Sequence, residues 1–293
     1  MTRQEEHSKG GHLVIIGGGE DRKHDMEILS RFVELAGGAD ANILVITAAS
    51  QIAEEMWEIY DKAFGALGVA RRSHLMIESR QDANSDEFVR QVDEATGIFM
   101  TGGDQKRLLA LIGGSALDAA MHVALKVRGV TIGGTSAGAS AMSGHMLATG
   151  RAETLPEKGS VSLGAGLGFL HRVVIDQHFS ERQRLSRLLT IVAQNPYLQG
   201  IGIDEDTALV VALGVGIEVL GEGAVTIVDG RTMITNVAHI KDRDTPELID
   251  VRLHLLPAGT KYDLPAKASS PESGLPHPLL DFLENVTKRN PIQ

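Results

Sequence analysis

A serine between two glycines is the side chain best placed to act as a nucleophile. Ser136 lies in Gly134-Thr-Ser136-Ala-Gly138, directly after the apolar run at residues 130–133. Small neighbours permit a sharp strand-to-helix turn that exposes a hydroxyl at the edge of a sheet. Backbone N–H groups at such a turn can stabilise an oxyanion. A glycine-rich turn with a capping serine has the same pattern, so a purely structural turn is the alternative.

A base and an acid for this serine can be sought at other strand ends. His178 closes the run Val173-Val-Ile-Asp-Gln-His178, which predicts an imidazole at the same edge of the sheet as Ser136. A carboxylate that orients the imidazole could come from an acidic run that follows residues 201–203. Periodicity does not distinguish the three acids of this run, and a solvated acidic turn is the alternative. They are Asp204, Glu205 and Asp206.

Other chemical classes fit the sequence poorly. The chain has no cysteine, so covalent chemistry has to rest on Ser, Thr, Lys or a carboxylate. The glycines at 17–19 do not complete a dinucleotide-binding motif, because Arg22 stands where the third glycine belongs. H-E-x-x-H is absent and the histidines are scattered, so we expect no metal and no cofactor.

Three arginines follow His178 on a stretch that we predict to be helical. Arg184 and Arg187 share one face of an ideal helix, while Arg182 points elsewhere. A solvated helix face is the ordinary interpretation of such charges. Because they are close to His178, one or more could also bind a substrate carboxylate as a bidentate fork.

The elements that position these residues alternate between short apolar runs and amphipathic stretches. We predict strands at His12–Ile16, 42–47, 73–77, 98–101 and 130–133, with helices at 22–36, 53–67, Asp86–Glu94 and 115–127. This pattern is typical of a three-layer α/β fold whose mostly parallel sheet has helices on both faces. After residue 205, short strands with glycine turns predict antiparallel hairpins that extend the sheet. We expect one domain at 1–264 and an appendage with a short helix at 265–293.

Composition limits the partners. The chain has 293 residues and a formal net charge of −10, which argues against a nucleic-acid partner. The first ten residues contain no apolar run, and no stretch reaches 18 consecutive apolar residues, so we expect no membrane segment. We therefore predict a cytoplasmic location.

Five segments, taken in order, resemble the aspartyl-dipeptidase-like serine peptidase family, and in particular its cyanophycin-hydrolysing members. The resemblance spans most of residues 10–230. The segments are Gly17-Gly-Gly-Glu-Asp21, Thr101-Gly-Gly-Asp-Gln105, Gly133-Gly-Thr-Ser-Ala-Gly-Ala139, Asp176-Gln-His-Phe179 with the three arginines, and Gly202-Ile-Asp-Glu-Asp-Thr-Ala208.

The resemblance implies a flavodoxin-like or class I glutamine-amidotransferase-like fold with serine in place of the amidotransferase cysteine. It implies Ser136 as nucleophile, His178 as general base and Glu205 as orienting acid. The implied oxyanion donors are backbone N–H groups of Ala137, Gly103 and Asp104. The residues implied to shape a pocket for a β-linked aspartyl-arginine unit are Gln105, Asp176, Gln177, Arg182, Arg184 and Arg187.

The implied activity is hydrolysis of cyanophycin, a poly-aspartate with arginine on each side-chain carboxyl, to β-Asp-Arg dipeptides through an acyl-enzyme. The resemblance also suggests a homodimer. Two alternatives stay open at this point. One is a dipeptidase for N-terminal α-aspartyl or other isoaspartyl peptides, and the other is a non-catalytic protein of the same fold that binds a small ligand.

Overall fold

A computed structural model describes residues 10–265 and 275–289 of the chain. Its strands are β1 His12–Ile16, β2 Asn42–Ile46, β3 Arg71–Leu75, β4 Gly97–Met100, β5 Thr131–Thr135, β6 His145–Gly150, β7 Val161–Ala165, β8 Val173–Gln177, β9 Gln199–Ile203, β10 Thr207–Ala212, β11 Gly216–Gly221, β12 Ala224–Asp229, β13 Ile234–Thr235, β14 Leu248–Ile249, β15 Arg252–Pro257 and β16 Lys261–Asp263. Its helices are α1 Glu27–Leu35, α2 Ala53–Ala66, α3 Asp86–Glu94, α4 Gln105–Ile112, α5 Ala116–Val123, α6 Ala137–Ser140, α7 Leu185–Gln194 and α8 His277–Thr287. Short 3-10 turns lie at Gly38–Asp40 and Asp82–Asn84, and a π-helical turn at Ala124–Arg128 extends α5.

The central sheet has eight strands in the order β16-β11-β10-β1-β5-β4-β2-β3. The strands from β1 to β3 in this order are parallel, whereas β10, β11 and β16 are antiparallel additions at one side. The predicted mostly parallel sheet with an antiparallel extension is therefore confirmed. The parallel strands β1, β2, β4 and β5 are buried at nearly every position because both faces of the sheet are covered, whereas the edge strand β3 is mostly polar and partly exposed.

Side chains on the two faces of the central sheet belong to two separate buried clusters. Val14 and Ile16 of β1 pack with Phe32 of α1 and Phe64 of α2. Leu13 and Ile15, which alternate with them, point to the opposite face and its larger cluster. That larger cluster includes buried residues of α3, α4 and α5.

A second sheet of four strands, β15-β12-β9-β8, packs against the same larger cluster. This corrects one expectation, since β12, one of the short strands after residue 205, does not extend the central sheet. Within the second sheet β8 and β9 are parallel, so the residues that follow both strands lie at one edge. Helix α7 covers the outer face of this sheet, where Leu188 and Ile191 pack against Val174 and Val228.

The C-terminal helix α8 is part of the main core, which differs from the expected appendage. Leu279, Phe282, Leu283 and Val286 are buried in the same cluster as the central sheet. Residues 266–274, which precede the helix, lie outside the described residues. In the described part of the chain, no single helix is long and apolar enough to cross a membrane; Gln105–Ile112 and Ala116–Arg128 pass that test only together and are bent by 96°.

Removing the Phe282 ring should destabilise the whole domain, because the side chain is fully buried in the main core. We expect Phe282→Ala to lower the free energy of unfolding by about 3–5 kcal/mol, measured by urea denaturation. The matched control is Glu284→Ala on the exposed face of the same helix. Equal and small effects of both changes would show that α8 is peripheral.

Candidate active site

Ser136 occupies a strained turn between β5 and α6. Its φ of 52° and ψ of −109° are unusual for a residue with a side chain. The turn is held by the Ser136 N–H, which donates to the Ile16 carbonyl oxygen at 3.0 Å. Close packing of α6 requires a glycine at position 138, since a Cβ there would lie 2.4 Å from the Met100 carbonyl oxygen. The small residues around Ser136 therefore permit the tight turn that the sequence predicts.

The structure brings Ser136, His178 and Glu205 together in one chain of hydrogen bonds. The distance between Ser136 Oγ and His178 Nε2 is 2.9 Å, and that between His178 Nδ1 and Glu205 Oε1 is 2.5 Å. This is the geometry in which a carboxylate holds the imidazole tautomer whose Nε2 can accept a hydroxyl proton. The arrangement can therefore activate the Ser136 hydroxyl.

The three acids of the run after β9 have different partners, which separates their functions. Asp204 accepts hydrogen bonds from the Ser180 N–H at 3.0 Å and from the Ala224 N–H at 3.0 Å, so it ties turns together. Asp206 accepts from the Asp21 N–H at 2.9 Å. Of the three, Glu205 is the one whose carboxylate reaches the imidazole, in agreement with the resemblance.

The glycine loop after β1 holds His178 and the acidic turn that contains Glu205. The Gly17 carbonyl oxygen accepts from the His178 N–H at 2.8 Å, and the Gly18 carbonyl oxygen accepts from the Asp206 N–H at 2.8 Å. Gly18 has a φ of 103°, and a Cβ there would lie 2.3 Å from His178 Cε1. The ring of His178 therefore packs directly on the backbone of this loop.

The environment of His178 favours its neutral form. Burial lowers the pKa of His178, and the nearby charges of Arg182 and Arg184 lower it further, while the hydrogen bond with Glu205 opposes this shift. The imidazole is thus a free base at neutral pH, as a general base must be.

The backbone donors near Ser136 differ partly from the expected set. Among the described residues, the N–H groups of Gly103 and Ala137 have no acceptor, so both are available to an oxyanion. The Asp104 N–H donates to the Ala49 carbonyl oxygen at 2.8 Å. This corrects the expectation for Asp104, whose side chain instead caps α4 by accepting from the Lys106 N–H at 2.8 Å. Gln105 is bound to the Leu147 carbonyl oxygen at 3.0 Å and so connects α4 with β6.

Asp176, Arg184 and Arg187 form a buried ion cluster, and Arg184 also lines a cavity. Asp176 is fully buried and accepts from Arg187 Nε at 2.6 Å, and the Arg187 Nη2 group bonds its second oxygen. Arg184 Nη1 lies 3.3 Å from Asp176 Oδ1 and 2.6 Å from Gln177 Oε1. The two arginines do share a face and both contact Asp176, although Arg184 Nη1 also donates to the carbonyl and side-chain oxygens of Gln177.

The cluster leaves Arg182 as the exposed arginine of the three. Residues 180–184 form a turn, and α7 begins only at Leu185, later than the predicted helix. Burial lowers the pKa of Arg184 to about 10, so Arg184 keeps its charge at neutral pH. Among these three arginines, only Arg182 presents an exposed side chain for a substrate carboxylate.

A buried network beside the site was not predicted from the sequence. Glu20 is 3% exposed and accepts hydrogen bonds from the Tyr60 hydroxyl and, at 2.6 Å, from Thr135 Oγ1. Thr135 precedes Ser136, so the network joins the glycine loop, α2 and the nucleophile turn. In the sequence, the feature that could have indicated this network is the position of Glu20 directly after three glycines at the end of a strand. Among the described residues, no group of three or more His, Asp or Glu could hold a metal ion.

Comparison with known families places the chain among the peptidases. Residues 13–218 match the model of peptidase family S51, and the chain belongs to that family. Among its relatives is a cyanophycinase of Geminocystis herdmanii, 39% identical over 264 residues, which cover 90% of this chain and 96% of the relative. A cyanophycinase of Synechococcus elongatus is 38% identical over 262 residues, covering 88% and 81% of the two chains.

Two solved structures share the fold. A peptidase from an acI-B1 actinobacterium superposes with a TM-score of 0.65 at 24% identity, covering 87% of this chain and 98% of its own. A peptidase E protein, described as putative, from Listeria monocytogenes has a TM-score of 0.51 at 16% identity, covering 72% and 98%. At these identities the likeness concerns the fold alone.

The charge of Arg182 should set part of the pH dependence. Removing it in Arg182→Met should raise the pKa of His178, because a neighbouring positive charge disfavours the imidazolium. The acid limb of the kcat/KM profile, which lies below the ordinary histidine value of about 6.5, should then move to higher pH. Arg90→Met, on the exposed face of α3, is the control. A limb that stays in place or moves to lower pH would contradict this assignment.

Proposed function

We propose that the chain hydrolyses cyanophycin and releases β-Asp-Arg dipeptides. The observation that carries this proposal is the hydrogen-bonded chain Ser136–His178–Glu205 in a member of peptidase family S51. The relatives named cyanophycinase support the substrate, since the match covers nearly all of the chain. Arg182 adds an exposed cation beside His178 for a substrate carboxylate.

The proposed reaction begins when Ser136 Oγ attacks the scissile carbonyl carbon and its proton passes to His178 Nε2. The oxygen that becomes negative is stabilised by the N–H groups of Gly103 and Ala137. His178 then gives the proton to the leaving nitrogen, the C–N bond breaks, and an acyl-enzyme on Ser136 remains. A water attacks this ester, its proton returns through His178, and Ser136 is restored as the acid product leaves.

Glu205 holds the imidazole in the productive tautomer through both proton transfers. Its carboxylate is 40% exposed, whereas the His178 side chain is 13% exposed. The buried cluster of Asp176 with Arg184 and Arg187 fixes the end of β8 and therefore the position of His178. The polar residues of this region thus divide into those that react and those that hold the reacting ones in place.

The roles of the three residues predict different losses. Ser136→Ala and His178→Ala should each lower kcat by about 10⁶-fold, and Glu205→Gln by about 10⁴-fold, because the orienting acid is the least costly to lose. Circular dichroism should show that each variant stays folded. A loss on Asp204→Asn or Asp206→Asn as large as that on Glu205→Gln would assign the orienting function to another acid.

The substrate itself is tested by incubation with cyanophycin, α-Asp-Arg, and β-Asp-X peptides, followed by mass analysis of the products. We expect β-Asp-Arg from cyanophycin and no comparable turnover of α-linked dipeptides. Cleavage of the α-linked dipeptides alone would contradict the proposal and favour an aspartyl dipeptidase. Absence of any turnover would favour a binding protein of the same fold. Homodimeric assembly and a cytoplasmic location stay predictions from the sequence.

A further inference from the structure

The Ser136 turn, between β5 and α6, is attached to the chain after β1 at two points. At the end of β1, the Ile16 carbonyl oxygen accepts from the Ser136 N–H at 3.0 Å. Four residues later, Glu20 Oε2 accepts from Thr135 Oγ1 at 2.6 Å. A single hydrogen bond leaves a turn free to rotate about that bond, whereas bonds to two neighbouring residues also fix its direction. Glu20 therefore supplies the second attachment of the turn that carries the Ser136 hydroxyl.

The glycine loop between these two points contacts the other two members of the hydrogen-bonded chain. The Gly17 carbonyl oxygen accepts from the His178 N–H at 2.8 Å. A Cβ at Gly19 would lie 3.1 Å from Glu205 Oε2, so the loop also packs against this carboxylate. An anchor at Glu20, where the loop ends, therefore fixes the hydroxyl relative to the imidazole and its acid.

Glu20 is suited to be this anchor because it is buried and both of its oxygens are bound. Oε1 accepts from the Tyr60 hydroxyl, and Oε2 accepts from Thr135. Tyr60 is itself fixed, since it is buried on α2 and its ring centroid lies 4.8 Å from that of Phe99. The carboxylate is thus held from α2 and directed at the Ser136 turn.

Three threonines at the same level of the central sheet differ in the partner of their hydroxyl. Thr47, Thr101 and Thr135 directly follow paired positions of the parallel strands β2, β4 and β5, and all three are buried. Thr47 Oγ1 lies 2.8 Å from His74 Nε2, and Thr101 Oγ1 has no hydrogen-bond partner within the described part of the chain. The bond to Glu20 belongs to Thr135, the threonine that directly precedes the serine.

We propose that Glu20 is a positioning residue that acts on Ser136 through the Thr135 hydroxyl. The inference rests on the proposed function and concerns the attack by Ser136 Oγ. Ser136 has a φ of 52°, and a strained backbone of this kind persists only where surrounding contacts hold it. Because Glu20 and Thr135 are both buried, they hold the attacking group without touching the substrate. Loss of their hydrogen bond should therefore lower kcat and leave KM nearly unchanged.

The test compares two changes at the same position. Thr135→Val removes the hydroxyl and should lower kcat on cyanophycin by about 10- to 100-fold, since a misplacement of ~1 Å can cost about 100-fold. KM should change by less than about threefold, because an interaction that acts on the reacting group alone does not alter substrate binding. Thr135→Ser keeps the hydroxyl and should keep most of the wild-type kcat. The rate at which a serine-directed fluorophosphonate labels Ser136 should follow kcat across these variants.

The matched control is Thr47→Val, which removes a buried hydroxyl with a side-chain partner at the same level of the sheet, two strands away from β5. It should lower the free energy of unfolding about as much as Thr135→Val does, but it should leave kcat unchanged. This comparison separates positioning of the serine from a general loss of stability.

Changes at Glu20 test whether it acts through Thr135. Glu20→Gln keeps the shape of the side chain and can accept from one hydroxyl and donate to the other, so it should retain most of the activity. Glu20→Leu should lose as much kcat as Thr135→Val, and the double variant should lose little more, because both changes break the same bond. The threonine comparison decides the question on its own if Glu20→Leu does not fold.

Equal kcat values for Thr135→Val and Thr47→Val would overturn the positioning function of Glu20, and so would independent, additive losses in the double variant. Either result would leave the proposed function intact. Failure of the wild type to cleave cyanophycin would overturn the proposed function instead, and the labelling rates of the same variants would still decide whether Glu20 positions Ser136.

Discussion

The hydrogen bond between Ser136 and His178 joins two sheets, and the rest of the site depends on it. Ser136 follows the central strand β5, whereas His178 follows β8 of the second sheet. The two strand ends meet because the loop after β1 binds both of them, with Ile16 accepting from Ser136 and Gly17 accepting from His178. The distance of 2.9 Å between hydroxyl and imidazole is therefore set by backbone contacts and not by the two side chains alone.

Buried charges hold this junction from both sides. On one side Glu20 joins Tyr60 and Thr135, and on the other Asp176 joins Arg184 and Arg187. Breaking one partner out of such a network leaves a buried charge or polar group unpaired, which costs far more than an exposed ion pair is worth. The network consequently gives rigidity to the strand ends that carry Ser136 and His178, as the precise positioning of the proposed nucleophile and base requires.

Much of the fold, and the side chains that the site brings together, could be predicted from the sequence. Continuous apolar runs such as His12–Ile16 indicate a parallel sheet, and the small residues around Ser136 indicate a tight turn at its edge. The residues alone did not select Glu205 from its two acidic neighbours, because that choice depends on which carboxylate faces the imidazole. The resemblance selected it, and the geometry agrees.

Other features depend on contacts between distant segments. A strand pattern does not reveal that β8 belongs to a second sheet, since apolar strands of either sheet look alike. The Asp104 N–H was expected to face an oxyanion, but the loop that supplies its acceptor, Ala49, is more than fifty residues away in the chain. Arg187 looked available for a substrate because nothing in its local sequence shows that Asp176 is buried against it.

The most direct test of the central claim is reaction of the folded protein with a serine-directed fluorophosphonate, with the labelled residue located by mass spectrometry. The account predicts one adduct, on Ser136, formed at a rate that falls strongly in His178→Ala although the serine is still present. Labelling that is absent from Ser136 in folded protein, or whose rate does not depend on His178, would contradict the account.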